Sequence, residues 1–113
     1  MMDGVLLIDK EKGASSFDVV REIKKITNIK SVGHTGTLDP LATGLLTILI
    51  GKATSLSDYL MGKDKVYIAD IILGIKTTTY DMEGDILSTS IPNIDMDEIK
   101  KNIDILIDIE SQK

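Results

Sequence analysis

At 113 residues the chain suffices for one small domain and falls short of two ordinary ones, and its 42% apolar content excludes disorder on composition. With no cysteine it has neither a disulfide framework nor a thiolate metal site, and no apolar run approaches the length of a membrane span. The net charge of −5 speaks against nucleic acid as a partner, but residues 10–34 carry six Lys/Arg against three acids while residues 81–113 carry nine acids against three lysines. A basic surface is therefore expected early and an acidic one late. No charged-then-apolar leader is visible at the N-terminus, so the expected compartment is the cytosol.

In chain order, Val5-Leu6-Leu7-Ile8 predicts a short buried strand. Ser15 and Asp18 form a capping pattern ahead of a helix that ends near Asn28. That helix has Phe17, Val20, Ile23 and Ile26 at apolar spacing and Arg21, Lys24 and Lys25 on the other face. Residues 33–44 lose all periodicity and hold three glycines and a proline, which predicts a structured loop. Residues 45–50 read as a central strand buried on both faces. Residues 53–61 read as a short helix with Leu56, Tyr59 and Leu60 inward. Residues 65–74 alternate as a strand with Tyr67, Ala69, Ile71 and Leu73 on one face, extending as far as Thr79. A turn over residues 81–85, a return strand over residues 86–88 and a last helix from Asp95 or Asp97 through Ile107 complete the pattern. Strands and helices mix without strict alternation, so the expected class is α+β with a mixed, largely antiparallel sheet and flanking helices.

Asp39 stands out chemically. It lies in the glycine-rich loop, and Pro40 biases its backbone away from the helical region. Loops held by a rigid scaffold carry many catalytic groups, although an Asp-Pro turn with a capping carboxylate is the commoner use of such a dipeptide. His34 is the one histidine and has no His or Cys companions, so no metal site is expected. Gly51-Lys52 lacks the first glycine and the hydroxyl residue of a phosphate-binding loop, with Leu46 and Ala53 in those places. The acidic run 81–85 lacks the spacing and closing glutamate of a calcium loop, and Leu41 stands where a phosphatase would want a second aspartate.

The twelve residues Gly-His-Thr-Gly-Thr-Leu-Asp-Pro-Leu-Ala-Thr-Gly at positions 33–44 resemble the signature of the TruB family of tRNA pseudouridine synthases. Lys10-x-x-Gly13-x-x-Ser16 resembles the family's early segment, with Glu11 where proline is usual. Lys65-x-Tyr67 resembles its second motif, and Leu73-Gly74-x-x-Thr77-x-Thr79-x-Asp81-x-x-Gly84 the stretch after it. The resemblance spans roughly residues 4–110. It implies a pseudouridine synthase fold, here incomplete, and isomerisation of the uridine at position 55 in the tRNA T arm, by a flipped base and without a cofactor. Asp39 would be the nucleophile or the base that starts glycal formation, and the sequence leaves both routes open. Tyr67 would stack on the flipped base, against its ordinary use as a core strand tyrosine, and His34 would fill the vacated place in the RNA. Lys10, Gly36, Lys65 and Asp81 complete the implied substrate-binding set. Lys10, Lys24, Lys25 and Lys30 are candidates for phosphate, or plain solvated lysines. The implied partner is the tRNA T-arm stem-loop, with no membrane and no metal, and a monomer when complete. The guide-dependent dyskerin-type synthase shares the aspartate signature, but residues 73–84 resemble the bacterial type more closely.

The resemblance also implies that residues 1–113 are the N-terminal part of the catalytic domain, with the remainder and a small RNA-binding domain absent. The missing part would carry the arginine that pairs with the catalytic aspartate. A truncated, inactive RNA-binding or folding fragment is therefore the alternative function.

Overall fold

The computed structural model describes residues 2–109 and divides into two compact units that meet in sequence after Tyr67. The first begins with strand β1 (Gly4–Lys10) and helix α1 (Ser16–Thr27), followed by strands β2 (Val32–His34) and β3 (Gly44–Ile50). A 3₁₀ turn (Gly51–Leu56) and short helix α2 (Ser57–Met61) follow. The second contains strands β4 (Ile75–Thr77) and β5 (Ile86–Thr89) and helix α3 (Met96–Ile107). Both sheets are antiparallel, in the orders β1-β3-β2 and β4-β5. The α+β class is as expected.

Helix α1 forms where its local signals say. Ser15 is extended and accepts from the Asp18 amide while the Asp18 carboxylate accepts from the Ser15 amide, a complete capping box. Asn28 closes the helix in the left-handed region at φ 57°, which asparagine tolerates better than most residues. Val20 is buried, and Val19 and Ile23 pack with it against Val32, Leu46, Ile48 and Ile50. Phe17 and Ile26, expected inward, are instead 61% and 70% exposed. At 100° per residue they lie on either flank of the Val20–Ile23 stripe, and a three-stranded sheet is too narrow to cover them.

β3 is the central strand, but only one of its faces is closed. Leu46, Ile48 and Ile50 face α1, paired across from Ile8, Leu6 and Gly4. On the other face Leu49 is buried, while Leu45 is exposed, as are Val5 and Leu7 on β1, which pair with Leu49 and Thr47. The expected inward packing of Leu56 and Tyr59 is likewise absent, since both are exposed.

The expected strand over residues 65–74 does not form; only Ile75–Thr77 pairs, with β5. In this second unit Thr77 is the one buried residue among those described, and the apolar side chains of β4, β5 and α3 are open to solvent except for the half-buried Ile99.

Candidate active site

β2 and β3 are hairpin partners joined by residues 35–43, and the Thr35 amide still donates to the Thr47 carbonyl before the chain leaves the sheet. The glycine-rich loop therefore starts two residues later than the sequence pattern predicts, with Gly33 and His34 on β2. At the same end of the sheet Lys10 pairs with Gly44, so the segment between β1 and α1 lies beside the loop.

Four contacts join the two. The Gly13 amide donates to the Pro40 carbonyl at 2.7 Å. The Ser16 hydroxyl, on a residue only 2% exposed, donates to the Leu38 carbonyl at 3.1 Å and accepts from the Leu38 amide at 2.8 Å. Lys10 Nζ donates to the carbonyls of Glu11 (2.8 Å), Ala14 (2.6 Å) and Pro40 (3.4 Å). Both residues flanking Asp39 are thus fixed through their backbones, while its own side chain stays exposed. Among the described residues no cation lies within ion-pair distance of that carboxylate. The Ala42 amide closes a tight turn onto the Asp39 carbonyl at 2.9 Å.

Lys10 does not stand where a phosphate contact would. It is 1% exposed and spends its donors on its own turn between β1 and α1 and, at 3.4 Å, on the loop, so its place is that of a brace. Position in the motif could not reveal this, because a lysine that ends a strand is ordinarily solvated.

His34 is half-buried with Nδ1 3.1 Å from the Gly36 carbonyl, holding the start of the loop. Gly36 has φ +128°, and a Cβ there would meet Lys65 Cε at 3.2 Å. Lys65 lies across the loop at that point, with Nζ donating to the Met61 and Lys63 carbonyls. The structure therefore assembles Lys10, His34, Gly36 and Lys65 around the loop of Asp39. Tyr67 is 64% exposed, in a stretch with no ladder partner.

Asp81 lies in the second unit, where it organises a turn. Its carboxylate accepts from the Thr79 hydroxyl at 2.5 Å and the Glu83 amide at 2.8 Å, and its carbonyl accepts from the buried Thr77 hydroxyl. The Thr79 hydroxyl and then the Glu83 amide hold the carboxyl below the ordinary aspartate value. Both bonds fall on Oδ1, so one oxygen of the carboxylate serves the turn, a structural task that its place in the motif did not disclose. A cavity of about 300 Å³ opens beside Ile71, Ile75, Tyr80 and Met82. It is lined by second-unit residues only, and Asp39 takes no part in it.

The class of site this defines is a single exposed carboxylate on a loop whose backbone is held rigidly from both sides. The family profile described as TruB family pseudouridylate synthase (N terminal domain) matches residues 24–112. The tRNA pseudouridine synthase B of Clostridium novyi is 58% identical over 99 residues, covering 88% of this chain and 34% of the relative. That of Fusobacterium nucleatum is 46% identical over 102 residues, covering 90% and 36%. That of Endomicrobium trichonymphae is 48% identical over 105 residues, covering 92% and 46%. A solved structure of an H/ACA RNP bound to a substrate RNA containing 2′-deoxyuridine has a chain 45% identical in the aligned part. Its TM-score is 0.48, and the match covers 50% of this chain and 18% of that one. The chain belongs to the TruB family of pseudouridylate synthases. It spans between a third and a half of the length of these curated relatives.

Proposed function

We propose that this chain carries the reacting aspartate of a tRNA pseudouridine synthase, acting in the cytosol on the uridine at position 55 of the T arm. The observation that carries the reading is the double brace on Asp39: the Lys10, Gly13 and Ser16 contacts fix Leu38 and Pro40, and leave the carboxylate between them facing solvent. A reacting group must be held and accessible at once, whereas a capping aspartate would be occupied by its own turn.

In the proposed reaction the bond from ribose C1′ to base N1 breaks, the base turns, and C1′ joins C5, which then gives up its proton while N1 takes one up. Asp39 attacks C1′ or removes the neighbouring ribose proton to form a glycal; either role suits a carboxylate ionised at neutral pH. Atoms and electrons balance within the nucleoside, so no cofactor is consumed. The exposed Tyr67 ring is available to stack on the extruded base, with His34 and Lys65 bordering the loop. The cation for Asp39 would come from the part of the relatives that this chain does not span, the complete enzyme acting as a monomer. No helix among the described residues is long and apolar enough to cross a membrane.

The absence of a cation beside Asp39 among the described residues favours a second reading, an RNA-binding chain without turnover of its own. One experiment separates the two. Pseudouridine is quantified in a transcribed T-arm stem-loop after incubation with the chain and with Asp39→Ala, and stem-loop binding is measured alongside. Turnover lost in Asp39→Ala supports catalysis; binding without turnover in either supports the second reading. Turnover that survives Asp39→Ala removes the aspartate from the mechanism.

A further inference from the structure

Phe17 is a large aromatic ring 61% exposed on the first turn of a helix whose register offers it burial only one step away. The Arg21 guanidinium carbon sits 5.0 Å above its ring centroid, in cation–π geometry. Helical phase places Phe17, Arg21, Lys24 and Asn28 in one stripe with Lys25 at its margin, while Asp18, Glu22 and Ile26 fall progressively round the side. Arg21 also meets Asp18 at 3.4 Å, and both side chains are exposed. That carboxylate is shared with the capping box, so Arg21 keeps donors for another partner.

The location makes this pair relevant. Phe17 follows Ser16, whose hydroxyl is bonded in both directions to Leu38, and Asp39 follows Leu38. Counting one chain step on either side of that joint puts the Phe17 and Asp39 Cα atoms on the order of 10 Å apart. An aromatic face backed by a guanidinium, with two lysines further along its helix, matches what a single-stranded nucleic acid requires: a flat surface for a base and cations for its phosphates.

We propose that Phe17 and Arg21 form a stacking platform for an unpaired base flanking the target uridine in the same RNA strand. This rests on the reading of Asp39 as acting on RNA. The occupant is RNA rather than protein because the ring lies in the most basic stretch of an otherwise acidic chain, and a guanidinium over an aromatic face extends the stack.

The test uses the whole chain and a T-arm stem-loop carrying 2-aminopurine at loop positions, with affinity from anisotropy over a salt series. Phe17→Ala is expected to weaken binding about tenfold and to relieve 2-aminopurine quenching. The slope of log affinity against log salt stays unchanged, because no phosphate contact is lost. Phe17→Tyr retains affinity, whereas Phe17→Leu, equally apolar but without a π face, behaves as Phe17→Ala. Arg21→Gln lowers the salt slope, and Ile26→Ala, equally exposed on another side of the helix, binds as the wild type. Thermal unfolding of the variants, whose altered side chains are exposed, should match the parent. Wild-type affinity in Phe17→Leu or Phe17→Ala overturns the platform, even while Asp39→Ala still abolishes turnover. A wild-type chain that fails to bind the stem-loop overturns the platform and the RNA reading together.

Discussion

A lysine amino group taken out of water needs acceptors, and Lys10 Nζ finds three in the carbonyls of Glu11, Ala14 and Pro40. Lys10→Met keeps the stem and removes the donors. The expected cost is about 1–3 kcal/mol in denaturant stability, the penalty of leaving buried acceptors unpaired, together with lower turnover as the Asp39 loop loosens. The salt dependence of RNA binding should not change, because Lys10 neutralises no phosphate; a shallower slope would return it to the surface role its motif implies. Gly36 is a second single-residue constraint. At φ +128°, with Lys65 Cε 3.2 Å from where a Cβ would stand, Gly36→Ala should cost about 1–3 kcal/mol, read as a shift in the unfolding midpoint. At this scale Asp39 could be singled out as a candidate because its signature is contiguous in sequence. The tasks of Lys10 and Asp81 were not, since burial and turn bonding depend on neighbours that spacing does not reveal.

Helix α1 shows which elements sequence determines locally. Its cap, boundaries and left-handed end are set by Ser15, Asp18 and Asn28 within one chain segment, and were readable in advance. Ser15→Ala should therefore cost about 1 kcal/mol, measured by thermal unfolding. The cap also carries a pH signature. The Ser15 amide, and then its hydroxyl, lower the Asp18 carboxyl below the ordinary value, with a smaller contribution from Arg21. A lowered folded value means the unfolded chain takes up its proton first as pH falls. The stabilisation is thus complete above about pH 4 and is lost as pH drops through the folded value. The stability gap between wild type and Asp18→Asn should be widest near neutrality and close in acid; a gap that widens in acid would contradict the assignment. The strand expected over residues 65–74 makes the opposite point. Tyr67, Ala69, Ile71 and Leu73 alternate correctly, but alternation only qualifies a segment for pairing, and a strand exists only where another backbone supplies its hydrogen bonds. Ile75–Thr77 has such a partner in β5, and among the residues before it only Gly74 is reached, its carbonyl accepting from the Ser90 amide at 2.7 Å.

Charge and burial divide the molecule along the same boundary. Residues 1–67 hold nine Lys/Arg and eight acids, residues 68–113 four and ten, so RNA footprinting should mark the first unit and spare the second. The first unit buries Leu46, Ile48, Leu49 and Ile50 to 2% exposure or less, on a strand paired along both edges. The second closes one two-stranded ladder and a capped helix while Ile68 and Ile91 stand 97% and 98% exposed. An isolated two-stranded ribbon is marginal in water, and local opening is governed by how much apolar contact an element must give up. Native-state hydrogen exchange should therefore be graded. The amides of β3 should exchange only with global unfolding of the first unit, and those of β4, β5 and α3 at rates near the unfolded chain. Leu46→Ala, removing a fully buried side chain, should cost about 2–5 kcal/mol and accelerate exchange throughout β1–β3 and α1. Exchange in β4 and β5 should not follow, because those amides are already open by a route that does not involve the first core. Equal acceleration in both would show one cooperative unit and would refute the division.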